Sequence, residues 1–250
     1  MNIISVVYTE ALFRPLYNLL VGITDFLPNH SVGFAILLVT LIVRLILLPS
    51  ALHQAKMARR NQDKMQSLQK ELKKIKEQHK EDKTKQAEAT MRLYRQAGIN
   101  PASGCLPLLI QLPILIALYR VFFTGLGEET FQYLYSFVPA PSSISAVFLG
   151  IDLSIPSLLL GVIAGLGQFA MMRFFSPSPA AQPGANESTA QMMASMQKNM
   201  TYFFPVMTIF IAMRLPAALA LYWVASTAFA IIQQYFIKRA LNLSSNPPIV

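Results

Sequence analysis

The chain has 250 residues, of which 54% are hydrophobic and only 13% carry charge, about half the charged share of a soluble domain. An ionised group in hydrocarbon is costly, so a lipid solvent selects this depletion, and a soluble globular protein is the first class excluded. The net charge of +9 is concentrated: 13 of the 21 Lys and Arg lie between Lys56 and Arg95. Apolar stretches flank that run, which favours a positive-inside loop over nucleic-acid binding.

Residues 1–30 read as an amphipathic segment. Pro15 suits a first helical turn. Glu10, Arg14, Asn18 and Asp25 fall on one side, while Leu16, Leu19, Leu20, Ile23 and Phe26 cover the rest, the pattern of an interfacial helix. No basic region precedes the first apolar stretch, so a cleaved signal peptide is not expected. Within 31–52, GFAILLVTLIVRLILLP from Gly33 to Pro49 is long enough for a first crossing.

Residues 53–100 lose that apolarity and read as a charged helical hairpin outside the membrane. Met65, Leu68, Leu72 and Ile75 form a narrow seam on its first helix, and Ala87, Met91 and Tyr94 a stripe on its second. With 19 charged residues between Lys56 and Arg95, little burial fixes the hairpin to the bundle, and mobility is expected.

Residues 101–240 carry four further spans. Cys105–Thr124 is the second, with Pro107 and Pro113 tolerated in a membrane helix. Residues 151–175 are the third, where Gly161-x-x-x-Gly165 permits close helix approach. A flexible loop is expected at 176–200, followed by spans at about 201–214 and 217–237 with a turn at Leu215-Pro216. Residues 241–250 are a short tail.

The fold class expected is therefore all-α: a polytopic membrane protein with five transmembrane helices, a cytoplasmic hairpin and an N-terminal interfacial helix. Five crossings place the ends on opposite sides. The basic hairpin, the 176–200 loop and the tail mark the cytoplasm, leaving the N-terminus outside. Arg14, Arg120 and Arg214 dissent, each alone.

Arg44 is the residue that needs a reason, because a guanidinium near mid-span costs about 2.5–3.5 kcal/mol even on lenient scales. It could snorkel to the headgroups. The competing reading is a water-accessible cavity, in which a cation with no span carboxylate as an obvious ion-pair partner attracts polar or acidic segments of another protein. Thr40 lies one turn away on the same face. Gln111, Gln168, Thr208, Tyr222, Trp223, Ser226 and Thr227 are further span residues with polar groups, each of which could simply join helices. The methionines Met171, Met172, Met192, Met193, Met196 and Met200 around the 176–200 loop either pack helix ends or make an adaptable apolar surface. His30, His53 and His79 lie apart without metal-ligand spacing, and no phosphate loop, paired span carboxylates or nucleophile–base pair is present. No catalytic residue, metal or cofactor is assigned, and the protein is read as not an enzyme.

Three segments together resemble the YidC/Oxa/Alb family of membrane protein insertases, in its short, Gram-positive-like form. They are TLIVRLILLP with Arg44, INPASGCLPLLIQLPILIALY from Ile99 to Tyr119, and LPAALALYWVAS followed by IIQQ, with Tyr222 and Trp223. The resemblance covers nearly residues 15–240. It implies a groove open to cytoplasm and lipid and closed outside, with Arg44, Thr40, Gln111, Gln168, Tyr222 and Trp223 as its candidate substrate-binding residues. It implies nascent membrane proteins as clients in the bacterial cytoplasmic membrane. It also brings the ribosome, the signal recognition particle receptor and the Sec translocon as partners, with no direct nucleic-acid contact. The chain departs from the short type in lacking an N-terminal lipoprotein cysteine. The alternative function is a small transporter or channel with Arg44 as an anion site.

Overall fold

The computed structural model describes residues 3–80, 82–99, 106–124, 128–141, 143–174 and 187–244. Its helices are α1 (Ile3–Tyr8), α2 (Arg14–Phe26), α3 (Val32–Ser67), α4 (Gln69–Gln78), α5 (Lys83–Gln96), α6 (Leu106–Thr124), α7 (Leu158–Phe174), α8 (Glu187–Ala212) and α9 (Ala217–Ser244). A π-helical turn over Thr9–Phe13 joins α1 to α2 without a break in direction. The only sheet among the described residues is an antiparallel pair, β1 (Val147–Phe148) with β2 (Ile151–Asp152).

Two helices, α3 and α9 over Ala217–Ile237, are long and apolar enough to cross a membrane; Gln111–Phe122, Leu158–Phe174 and Asn199–Ala212 are shorter apolar helices. Large apolar side chains stand exposed on the outward faces of these five: Ile46 on α3, Ile116 on α6, Leu166 on α7, Phe203 and Phe210 on α8, Phe236 on α9. A surface apolar on every side is unstable in water and ordinary in hydrocarbon.

The helix axis of α3 runs through Pro49 without ending, so the first span and the hairpin's first arm are one helix. It breaks at Leu68 into α4, and a turn at His79 leads to α5. The Asp82 carboxylate caps α5 by accepting from the backbone N–H of Thr84 and Lys85. The seam of Met65, Leu68, Leu72 and Ile75 faces inward as expected, with Leu72 buried. Of the expected stripe on α5, Tyr94 is half-buried but Ala87 and Met91 are exposed; Gln86, Ala89, Thr90 and Leu93 are the other half-buried positions. Lys64 reinforces the pairing by donating to the Ala97 carbonyl at 2.9 Å.

Two boundaries and one helix face differ from expectation. Residues 187–200, read as loop, are the first half of α8, where Ser-Thr-Ala-Gln-Met-Met carries good helix formers once the Pro-rich stretch ends. The stretch 175–186 lies outside the described residues. The third apolar helix begins at Leu158 rather than 151. Asp152 accepts from the Ser154 N–H at 2.8 Å and turns the chain there, Pro156 keeps Ile155 out of the helical region, and Ser157 Oγ accepts from the Leu160 N–H. On α2, Asn18 was placed on the polar side but is buried, whereas Phe26, placed among the apolar residues, is 91% exposed.

Two close approaches shape the bundle. Gly161 and Gly165 both face α8: a Cβ on Gly161 would sit 3.0 Å from Ala212 Cβ, and one on Gly165 would overlap Ile209 and meet the Pro205 carbonyl. The glycines let two backbones approach where side chains would hold them apart.

Candidate functional site

Packing is uneven along the spans. On α3, Val32, Ala35, Ile36, Val39 and Thr40 are buried, and no residue from Leu41 to Pro49 is. On α6, among Gln111–Phe122, the buried residues are Ile114, Ala117, Leu118 and Val121; on α9 they run from Ala217 to Tyr222 with Ala225 and Ser226, and Ile237 is buried further along. Burial on α3 and α9 is thus densest near their N-terminal ends and sparser toward the hairpin.

A second layer tightens the more densely buried end. On α2, Tyr17 OH and Thr130 Oγ1 are 2.6 Å apart, Asn18 donates to the Tyr133 carbonyl at 2.9 Å, and the Tyr135 N–H donates to Asn18 Oδ1 at 2.7 Å. From α6, Arg120 lies 4.4 Å over the Phe13 ring and donates to Thr9 Oγ1. Buried polar groups fully paired in this way rigidify the elements they join.

Arg44 sits where the packing changes, half-buried. Its guanidinium donates to Ser226 Oγ at 2.5 Å. It therefore points into the bundle toward α9, not along α3 to the headgroups as a snorkelling side chain would. One turn back on α9, the Tyr222 hydroxyl accepts from Gln111 Nε2 of α6 at 2.5 Å. Tyr222 and Ser226, four residues apart, share a face, so a single face of α9 joins Gln111 and Arg44 and carries the polar groups of three helices.

The remaining expected residues are placed differently. Thr40 is buried one turn from Arg44 and spends its hydroxyl on the Ile36 carbonyl of its own helix at 2.6 Å. Gln168 accepts from Thr208 at 2.7 Å, which ties α7 to α8 rather than to Arg44. Trp223 is half-buried against the core beside Tyr222. Ser226 was among the polar span residues but not in the expected site set; its spacing from Tyr222 was the signal that could have found it. Among the described residues no three metal-ligating side chains converge.

The family model of the 60Kd inner membrane protein matches residues 23–244. A membrane protein insertase YidC of Fusobacterium nucleatum is 38% identical over 90% of this chain and 97% of its own length. That of Clostridium tetani is 34% identical, covering 85% of this chain and 84% of its own. The insertase MisCA of Bacillus subtilis is 32% identical, covering 88% and 75%. On these matches, which run through the α3, α6 and α9 segments that meet at Arg44, Gln111 and Tyr222, the chain belongs to the YidC family of membrane protein insertases.

Proposed function

We propose that this protein inserts newly made membrane proteins into the bacterial cytoplasmic membrane and assists their folding, through a groove formed by five spanning helices. The observation that supports the reading is the change in burial at Arg44: α3 and α9 are densely buried on one side of it and sparsely on the other, with a cation at the boundary. A polar or acidic client tail entering from the hairpin side would find Arg44 and the Tyr222–Ser226 face before it met hydrocarbon. The hydrocarbon path left to cross is then short, and an apolar client segment can move sideways between helices into lipid. No nucleotide hydrolysis or covalent step is needed, and the protein is not an enzyme in this reading.

The basic charge of the hairpin supports a cytoplasmic position for α4 and α5, which would leave the N-terminus outside and the α8 entry and the tail inside. In that position the hairpin is the natural first contact for the ribosome, for the receptor of the signal recognition particle and for the Sec translocon. The test is replacement of the resident insertase in a depleted strain. Growth and client insertion should be restored; a chain that reaches the membrane at normal abundance yet restores neither would overturn the assignment.

A further inference from the structure

We propose that the β1–β2 hairpin inserts its tip, Leu149, into the bilayer leaflet at the N-terminal ends of α3 and α9. The turn itself argues for it. Phe148 pairs with Ile151 across a two-residue connection, and both connecting residues have positive φ: 49° at Leu149 and 80° at Gly150. That is the type I′ pattern, which favours Asn-Gly, Asp-Gly or Gly-Gly and disfavours a bulky apolar residue at its first position. The side chain placed there against local preference is 82% exposed and contributes nothing to the core. A local rule broken without a packing gain marks a demand made from outside the fold.

The hairpin is held rigidly at the level of the helix ends. Phe148 is buried over Gly33, where a Cβ would collide with its ring, and meets Phe34 edge-on at 5.1 Å. The Ser145 N–H donates to the His30 carbonyl and Ser145 O accepts from Val32. On the other side, Leu153 O and Ile155 O accept from Ala218 and Ala217, the first residues of α9. Exposed Val147 and Ile155 continue the apolar surface to Phe34 on α3 and Leu158 on α7. From Thr130 to Ile151 the sequence contains no charged residue. A water-exposed loop of that length normally carries several charges, whereas one lying on lipid excludes them.

The inference rests on α3 and α9 spanning the membrane, and the experiment separates the two claims. In a Cys105→Ser background, spin labels are attached singly at Leu149→Cys, Asp152→Cys and Ile46→Cys in the full chain. Each protein is reconstituted in phosphatidylethanolamine–phosphatidylglycerol vesicles, and relaxation by oxygen is compared with relaxation by a water-soluble nickel chelate. The Ile46 label should show the strongest oxygen preference, the Leu149 label a clear one, and the Asp152 label a preference for nickel. A lipid-exposed Ile46 label with a Leu149 label as wet as Asp152 would overturn the hairpin proposal alone. So would a Leu149 label shielded from both reagents, which would mean contact with a second copy. A wet Ile46 label would overturn the spanning arrangement and the hairpin proposal with it.

Discussion

Arg44 on α3 donates to Ser226 on α9 at 2.5 Å, a contact between residues 182 apart in sequence, just past the last buried residues of the α3 span. The hydroxyl is a neutral acceptor, so it partners the guanidinium without cancelling its charge. A carboxylate bonds a guanidinium more strongly than a hydroxyl does, so under the proposed mechanism an acidic client segment would displace Ser226 and leave behind only a small polar group.

Ser226→Ala therefore should not mimic loss of Arg44. A neutral hydrogen bond contributes about 0.5–1.5 kcal/mol net, so releasing the guanidinium should change capture of an acidic client by no more than about tenfold. Cross-linking yield between Arg44's surroundings and an arrested acidic-tail client measures this. A loss as deep as that of Arg44→Ala would instead make Ser226 essential for holding Arg44 in its working position.

The Gln111–Tyr222 pair should behave as a structural joint between α6 and α9. Tyr222 is 3% exposed, and Tyr222→Phe leaves the Gln111 amide without its acceptor. Gln111 is half-buried, so the cost expected is about 1 kcal/mol, the low end for a group left unsatisfied. Thermal unfolding in detergent should show it, and Gln111→Leu combined with Tyr222→Phe should recover a large part, because the unpaired amide is then gone.

The approach of α7 to α8 depends on Gly165, where an added Cβ would overlap Ile209 and press on the Pro205 carbonyl. Gly165→Ala should destabilise by about 1–3 kcal/mol through overpacking. Gly22, which has open space where its Cβ would go, is the control: Gly22→Ala should be close to neutral. Unfolding temperatures of the two variants decide the comparison.

Much of this was legible beforehand, for a physical reason. Long apolar runs, a clustered basic stretch and the 3-4-3 seam at Met65, Leu68, Leu72 and Ile75 are one-dimensional signals that burial and the positive-inside bias write directly into sequence. The Gly161–Gly165 approach was legible in the same way. The pairings were not. That Gln111 meets Tyr222 while Gln168 meets Thr208 depends on which helices are neighbours, and no spacing within one helix encodes that. The first half of α8 was hidden by the Pro-rich residues before it. The β1–β2 turn was hidden because Leu149-Gly150 is not a sequence that announces a hairpin.

In the α4–α5 hairpin, Asp82 supplies a pH-dependent prediction. The Lys85 backbone N–H and ammonium, with the Thr84 N–H, hold its carboxyl below the ordinary value of 3.8. A group depressed on folding stabilises fully above its unfolded value, and that contribution is lost as pH falls through the folded one. Protection of the first amides of α5 from hydrogen exchange should therefore be constant from neutrality down to about pH 4 and fall below it. Asp82→Ala should remove the pH dependence and lower protection at neutral pH, and the hairpin from residue 53 onward should exchange faster than α9 or the apolar part of α3 before it.

The most direct test of Arg44's role is an insertion assay on two clients that differ only in whether the translocated tail is acidic or neutral, with Arg44→Ala and Arg44→Lys beside the parent. A charged hydrogen bond contributes about 1.5–3 kcal/mol, so Arg44→Ala should lose roughly ten- to a hundredfold in insertion of the acidic-tail client and little with the neutral tail. Arg44→Lys keeps the charge but not the planar fork of donors and should retain much of the acidic-tail activity. Equal activity of Arg44→Ala and the parent on both clients would contradict a role for Arg44 in receiving them.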